Sequence, residues 1–410
     1  MIVVAILALG AAAAATQYYQ DSIREYRQPF AEGRGVTYHD RWRAQPGYNL
    51  VEVYSVPRGP TRCRVMTLEG VVVLTIPGSN CEILRDGGFV SNFKQELVRR
   101  DRDFNLKWSV PHLTVRHDIY EDPASGEILI WVDVHSQVRA EMPFTNSRSL
   151  AGARMIVNEL LGFDNEGRRS FRWNALEHLG EIEALKSQRG AQLTLSVETP
   201  GTYEFSHFNS IDVLPHNRWE KEWPAFKKGN ILTSSTTCGC IAIISRESGA
   251  IVWFHRTKKA EGARTAQPEN YRTHSAHWLD SGNILFFQNS REDDEPGQAF
   301  SEVIEIQPTD HQEVWSYRAQ KGDRFFGDHL GSAYRLANGN TLISSLANGG
   351  NAFEVSREGR LVWEWNNSIE DPQFPGSIYR VRRLSEALIE PLLKVLRPQA
   401  IGIPDPFNDP

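Results

Sequence analysis

The chain is short of the residues that several simple explanations would require. Only four of its 410 residues are cysteine. Cys238-Gly239-Cys240 is metal-like, but no second CxxC or HxxxH pair completes a four-ligand set. A zinc site is therefore excluded, and these two cysteines read as structural thiols or a local disulfide. A basic run is missing too: the formal net charge is −6 with no clustered Lys/Arg stretch, which excludes a polyanion partner, and no nucleic-acid module is present. Glu292-Asp293-Asp294-Glu295 lacks the alternating spacing of a calcium loop and reads as a solvated loop. What is abundant points elsewhere. With 31 Gly, 21 Pro and 11 Trp, the composition implies many turns and short strands around a large core, a globular β-rich chain without long helices.

One long apolar run exists, at the amino end. Met1 to Gln20 carries no charged side chain and opens MIVVAILALGAAAAAT. Export is the expectation. Ala13-Ala14-Ala15 offers a small-residue cleavage site for a signal peptide, while the missing basic n-region fits an uncleaved anchor with Tyr18 and Tyr19 at the interface; a buried N-terminal helix is the remaining alternative. A periplasmic, extracellular or membrane-anchored location follows, with membrane attachment through residues 1–20. Cys63 and Cys81, 18 residues apart around the apolar run Val71 to Ile76, can be bridged in an oxidising compartment.

A repeated unit sets the fold. Lys228-Gly229-Asn230-Ile231-Leu232, Ser281-Gly282-Asn283-Ile284-Leu285 and Asn338-Gly339-Asn340-Thr341-Leu342 share one turn-strand pattern, with Gly126-Glu127-Ile128-Leu129-Ile130 a weaker copy. Gly229, Gly282 and Gly339 follow each other at intervals of 53 and 57 residues. Each unit closes on a tryptophan: Trp108, Trp173, Trp253, Trp315 and Trp363. TLEGVVVLTIPG at 67–78 supplies one more closing hairpin. Four short strands repeated at this period predict an all-β, six-bladed β-propeller with the tryptophans packed between blades. We divide the chain into an apolar segment (1–20), a linker (21–45), the propeller (46–383) and a tail (384–410) that includes a short helix over Ser385 to Arg397, interrupted by Pro391. The strand near Ser377 to Arg383 is expected to complete a blade begun near the amino end.

The histidines then acquire a place. His117, His207, His274 and His329 each follow a blade-closing tryptophan, where the chain crosses to the innermost strand of the next blade. A histidine at a strand start can simply hydrogen-bond a loop carbonyl, but four at equivalent points converge on one axis.

At these residues the sequence resembles the aryl-sulfate sulfotransferase family, six-bladed propellers that move a sulfuryl group between phenols without a nucleotide donor. The likeness covers most of residues 45 to 383. It rests on RHDI at 116–119, HFNSI at 207–211 with GNILTSS at 229–235, HSAHWLDSGNILFFQN at 274–289 and HLGSAYRLANGNTLISS at 329–345. The resemblance implies that His274 is transiently sulfated, that His207 and Asn209 hold the sulfuryl oxygens, and that His117 is a further pocket histidine. It also implies a phenolic sulfate donor, a phenolic acceptor and no metal or cofactor. Thr236 stands where the family expects an arginine after Ser234-Ser235, and Arg272, two residues before His274, is the candidate substitute; Thr236, Arg272 and His329 complete the expected substrate-binding set. The expected function is sulfuryl transfer through a sulfohistidine. The alternative is a non-catalytic, membrane-anchored propeller that binds a ligand or protein; a quinoprotein is disfavoured because no acidic metal ligands flank the histidines. Strand alternation further places His277 on the opposite side from His274, as packing.

Overall fold

A computed structural model describes residues 35–55, 62–187, 195–257, 271–290, 301–318, 325, 327, 330–346, 350–367 and 377–396. The expectations for residues 1–20 and for His329 lie outside these residues.

The chain forms six antiparallel blades. The first holds β2 (Tyr48–Ser55), β3 (Arg62–Met66) and β4 (Val72–Pro77), the second β5 (Ser79–Ile83), β6 (Phe89–Phe93), β7 (Glu96–Arg100) and β8 (Leu106–Pro111). The third is built from β9 (Val115–Glu121), β10 (Ile128–Gln137), β11 (Arg154–Phe163) and β12 (Arg169–Asn174), with β13 (Ser196–Thr199) and β14 (Thr202–Glu204) added beside β11. The fourth comprises β15 (Asp212–Val213), β16 (Ile231–Ser235), β17 (Cys240–Ile244) and β18 (Ile251–Arg256), the fifth β19 (Tyr271–Trp278), β20 (Ile284–Ser290), β21 (Ser301–Ile306) and β22 (Glu313–Arg318). The sixth contains β23 (Ser332–Arg335), β24 (Thr341–Ser345), β25 (Asn351–Val355) and β26 (Leu361–Asn366). The ring closes as expected: β27 (Ser377–Leu384) pairs with β2 in register Val51 to Val381, so strands more than 300 residues apart share the first blade.

One boundary is corrected. β1 (Gly35–His39) falls in the stretch assigned to a linker, yet it pairs with β26 as a fifth strand of the last blade. Its pairing covers the outer edge formed by Trp363, Glu364, Trp365 and Asn366, which would otherwise present unpaired backbone groups to water.

The turn-strand repeat has a conformational cause. Gly229, Gly282 and Gly339 all adopt φ between 80° and 89°, the left-handed region that only glycine enters without strain. At Gly282 a Cβ would also lie 2.9 Å from the indole nitrogen of Trp219. The next two or three residues then alternate between the two faces of the blade, which is why Ile284 and Phe286 pack towards the fourth blade while Leu285 and Phe287 pack towards the sixth.

The five tryptophans share one geometry. Each indole N–H donates to a backbone carbonyl in the outer turn of the following blade: Trp108 to Asn165 (3.1 Å), Trp173 to Gly249 (2.8 Å), Trp253 to Pro308 (3.0 Å), Trp315 to Arg357 (2.7 Å) and Trp363 to Leu68 (2.8 Å). A large apolar ring therefore fills the gap between blades while its polar edge is satisfied. β4 of the first blade has no such tryptophan. There the chain uses α2 (Glu386–Leu396), whose Ile389, Leu392 and Leu393 pack with Leu50, Val65, Leu74 and Phe89 across the first and second blades. The expected terminal helix thus fills the position of the missing indole. The wide spacing from Trp173 to Trp253 is taken up by α1 (Leu179–Ser187), β13 and β14.

Cys63 of β3 and Cys81 of β5 are disulfide-bonded, as are Cys238 and Cys240. The first bond staples adjacent blades over a separation of 18 residues. On the chain-entropy estimate, a double Cys63→Ser, Cys81→Ser variant is expected to lose about 3 kcal/mol, measurable as a lowered guanidinium midpoint.

Candidate functional site

The inner strands do not run smoothly past the axis. Near the start of each one a non-glycine residue is forced into the left-handed region: Asn80 (φ 50°), His117 (φ 60°), His207 (φ 45°), Ser275 (φ 53°) and Leu330 (φ 62°) in blades two to six. Register slips accompany this in β5, β9 and β19. Such a conformation costs about 1 to 2 kcal/mol per residue, and its recurrence at one level of five blades marks the place where backbone strain is exchanged for side-chain aim.

At that level the imidazoles meet. The rings of His117 and His207 lie 4.8 Å apart, and the Tyr379 hydroxyl of β27 is 3.5 Å from His117 Nδ1. His207 Nδ1 is 2.7 Å from Glu204 Oε2, a carboxylate that is only 2% exposed. Asn209 donates from Nδ2 to Thr236 Oγ1 (2.7 Å) and to the Thr273 carbonyl (2.8 Å), while its Oδ1 accepts from Ser234 (2.6 Å). Thr236 Oγ1 in turn lies 3.4 Å from His274 Nε2. A polar line therefore runs Asn209, Thr236, His274, and His207, His117 and Tyr379 form a second run of contacts beside it. Burial pushes His117 well below the ordinary imidazole value, and positive charge on His207, Arg116, His274 and Arg380 pushes it further, so this ring is neutral at physiological pH. His117 is thus close enough to both His207 and His274 to sense their charge.

The segment carrying His207 and Asn209 is pinned from the third blade. Asn158 Oδ1 accepts from Ser206 Oγ (2.8 Å) and from the Phe208 amide (3.0 Å), and Asn158 Nδ2 donates to Asp133 (3.0 Å). Asp133 also receives Arg116 Nε at 2.5 Å. Thr236 N donates to the His207 carbonyl (3.1 Å), so the turn closed by the Cys238–Cys240 disulfide leans on the same segment.

Below the imidazoles the channel is filled by charge. Arg380 donates to both carboxylate oxygens of Glu52 and to Asp118, Arg382 donates to Glu82 and Glu52, and Asp118 accepts the Ile211 amide at 2.9 Å. Burial opposes the charge on Arg380, but Asp118 and Glu52 outweigh it. His277 sits in this layer, its ring 4.4 Å from Tyr334, its Nε2 2.9 Å from Ser275 Oγ, and burial lowers it to about 4. Nearby Asp212 accepts the Trp278 amide at 2.7 Å, and burial raises it to about 7.

Measured against expectation, His117, His207, Asn209, His274 and Thr236 are brought together. Arg272 lies on an extended part of β19, opposite Asn289, and so shares a side with His274. The alternation argument for His277 is overturned: His274 pairs with Phe287 and His277 with Leu285, three residues of β19 spanning two of β20. This bulge at Ser275 cancels the alternation, and what separates the two histidines is depth along the axis. Glu204, Arg116, Tyr379 and the Arg380 cluster were not singled out from sequence. Arg116 could have been found from its place beside His117 in RHDI; Glu204 is three residues before His207 but carries no repeat signature.

Six blades make this chain a β-propeller whose inner strands gather His117, His207, Asn209, Thr236 and His274. The sequence profile of the family described as Arylsulfotransferase (ASST) matches residues 109–368, and the chain belongs to that family. Membership indicates a transferase and, in general terms, aryl sulfotransfer on phenolic substrates. No curated protein matches significantly. Among solved structures, a protein of unknown function from Bacteroides caccae is 12% identical and is matched over 82% of this chain and 98% of its own, with a TM-score of 0.48. Saccharomyces cerevisiae Sqt1 is 11% identical over 82% of this chain and 89% of its own, with a TM-score of 0.42.

Proposed function

We propose that the protein moves a sulfuryl group from an aryl sulfate to a phenol through a sulfated His274, without a nucleotide donor. The observation that carries this reading is the line from Asn209 through Thr236 to His274 Nε2, together with the adjacent rings of His117 and His207. In the first half-reaction His274 Nε2 forms a bond to sulfur as the bond from sulfur to the phenolic oxygen breaks. In the second, an acceptor phenol takes the group and frees the imidazole. Splitting one transfer into two removes the need for both phenols at once. Charge on the equatorial oxygens is met by fixed donors, as in phosphoryl transfer, and here these are the imidazole N–H groups, while Asn209, whose two Nδ2 hydrogens go to Thr236 and to the Thr273 carbonyl, holds Thr236 in place. Thr236 supplies a hydroxyl where the family pattern has an arginine; Arg116 and Arg380 are close enough to act on His117, and Arg272 lies two residues before His274 on β19.

Two disulfides and the uncharged residues 1–20 support export to an oxidising compartment. Purified protein incubated with 4-nitrophenyl sulfate and a phenol, with no nucleotide added, is expected to release nitrophenolate in an acceptor-dependent manner. The wild-type protein trapped with donor alone should gain the mass of one sulfuryl group. A protein that binds phenols yet shows neither result is a binding module, a reading favoured by Thr236.

A further inference from the structure

The function proposed above leaves open which group supplies the proton that the departing phenolate needs. Three features of the pocket answer this. The ring centroids of His207 and His117 lie 4.8 Å apart, a separation at which two imidazolium charges repel, so only one ring carries the proton. Only one has a carboxylate: Glu204 Oε2 lies 2.7 Å from His207 Nδ1, whereas His117 Nδ1 faces the Tyr379 hydroxyl at 3.5 Å. And Glu204 is held in place, 2% exposed, at the end of β14 where that strand pairs with β11.

We propose that Glu204 is the positioning residue that makes His207 the proton donor to the departing phenolate. A carboxylate accepts, so the Nδ1 of His207 must be the protonated nitrogen, which leaves Nε2 turned away from Glu204 as the atom that exchanges a proton. When His274 takes the sulfuryl group, the electron pair of the breaking bond goes to the phenolic oxygen and the proton on His207 Nε2 follows it. In the second half-reaction the neutral His207 Nε2 takes the proton of the acceptor phenol, and the cycle closes with no proton gained or lost. His117, neutral through burial, is left to donate a hydrogen bond.

The electrostatic setting supports this division. Burial alone would raise the Glu204 carboxyl, but His207 foremost, with Arg116 and a hydrogen bond from Asn158, holds it below the usual carboxylate range, so Glu204 is ionised throughout the working pH range. The charged groups facing the pair are Arg116 from β9 and Asp133 from β10, which neutralise each other at 2.5 Å, together with His117. Glu204 is therefore the anion in direct contact with the His207 imidazole.

The inference rests on the aryl-sulfate reading, and the test separates the two. Glu204→Gln is expected to slow the donor half-reaction about 100-fold for phenyl sulfate, whose poor leaving group needs the proton, and less than tenfold for 4-nitrophenyl sulfate, which does not. Glu204→Asp should restore part of this donor-dependent loss, because a carboxylate is again in reach of Nδ1. Equal loss on both donors would overturn the proposal even while the wild type transfers sulfate. Independently of turnover, imidazole 15N shifts should show neutral His207 as the Nδ1–H tautomer in the wild type. An Nε2–H tautomer there would overturn it whatever the substrate proves to be.

Discussion

His274→Ala is expected to abolish both half-reactions, lowering turnover by roughly 10⁴-fold or more and eliminating the sulfated protein in mass spectra. The reason is that one nitrogen carries the group in both directions, so no partial route survives its loss. The informative comparison is His277→Asn. His274 is buried and His277 half-buried on β19, three residues apart, and the bulge at Ser275 puts them on the same face of the blade. They differ in what they touch: His274 reaches Thr236 in the mouth, whereas His277 packs on Tyr334 beside Asp212. Loss of His277 should leave turnover within about tenfold while lowering stability, since it removes packing and a hydrogen bond to Ser275. Steady-state rates and thermal midpoints measured on the same two variants decide this. Equal loss of turnover from both would mean that the deeper layer takes part in the chemistry.

Arg380→Met is expected to be the most destabilising single change in the channel, costing about 3 to 5 kcal/mol. Arg380 is 4% exposed and joins Glu52 of the first blade to Asp118 of the third, so its removal leaves two buried carboxylates facing each other with one cation, Arg382, in reach of Glu52. The cost arises from that unpaired charge rather than from lost attraction, and it makes a specific pattern testable. Arg380→Lys keeps the charge but gives up the fork that contacts both carboxylates, and should lose less. Guanidinium unfolding of the two variants gives the order. A methionine variant as stable as wild type would show that Glu52 or Asp118 is protonated in the fold.

How far the sequence led can be judged from particular residues. The blades were legible because each rests on local signals that recur: a left-handed glycine, a few alternating apolar residues and a tryptophan whose partner carbonyl lies in the next repeat. The pocket histidines were legible from their phase relative to those tryptophans. What failed was anything depending on a single departure from the repeat. Ser275 bulges, and one inserted residue is enough to reverse a face assignment, which is how His277 was misplaced. β1 was missed because five residues ending in His39 carry no alternating apolar pattern and pair with a strand more than 300 positions away. Glu204 and Arg380 were invisible for another reason. A lone charged residue in a strand looks the same in sequence whether water or a buried partner meets it, and only the closure of the ring supplies the partner.

That closure has a consequence in time. β27 is the inner strand of the first blade, yet among the described residues it is the last strand in sequence, and it brings Tyr379 and Arg380 beside His117 and Asp118. During synthesis, His117, His207 and His274 of the third to fifth blades emerge in order, but the side chain that meets His117 Nδ1 is absent until residues near 380 have left the ribosome. The histidine cluster therefore lacks part of its surround until β27 docks on β2.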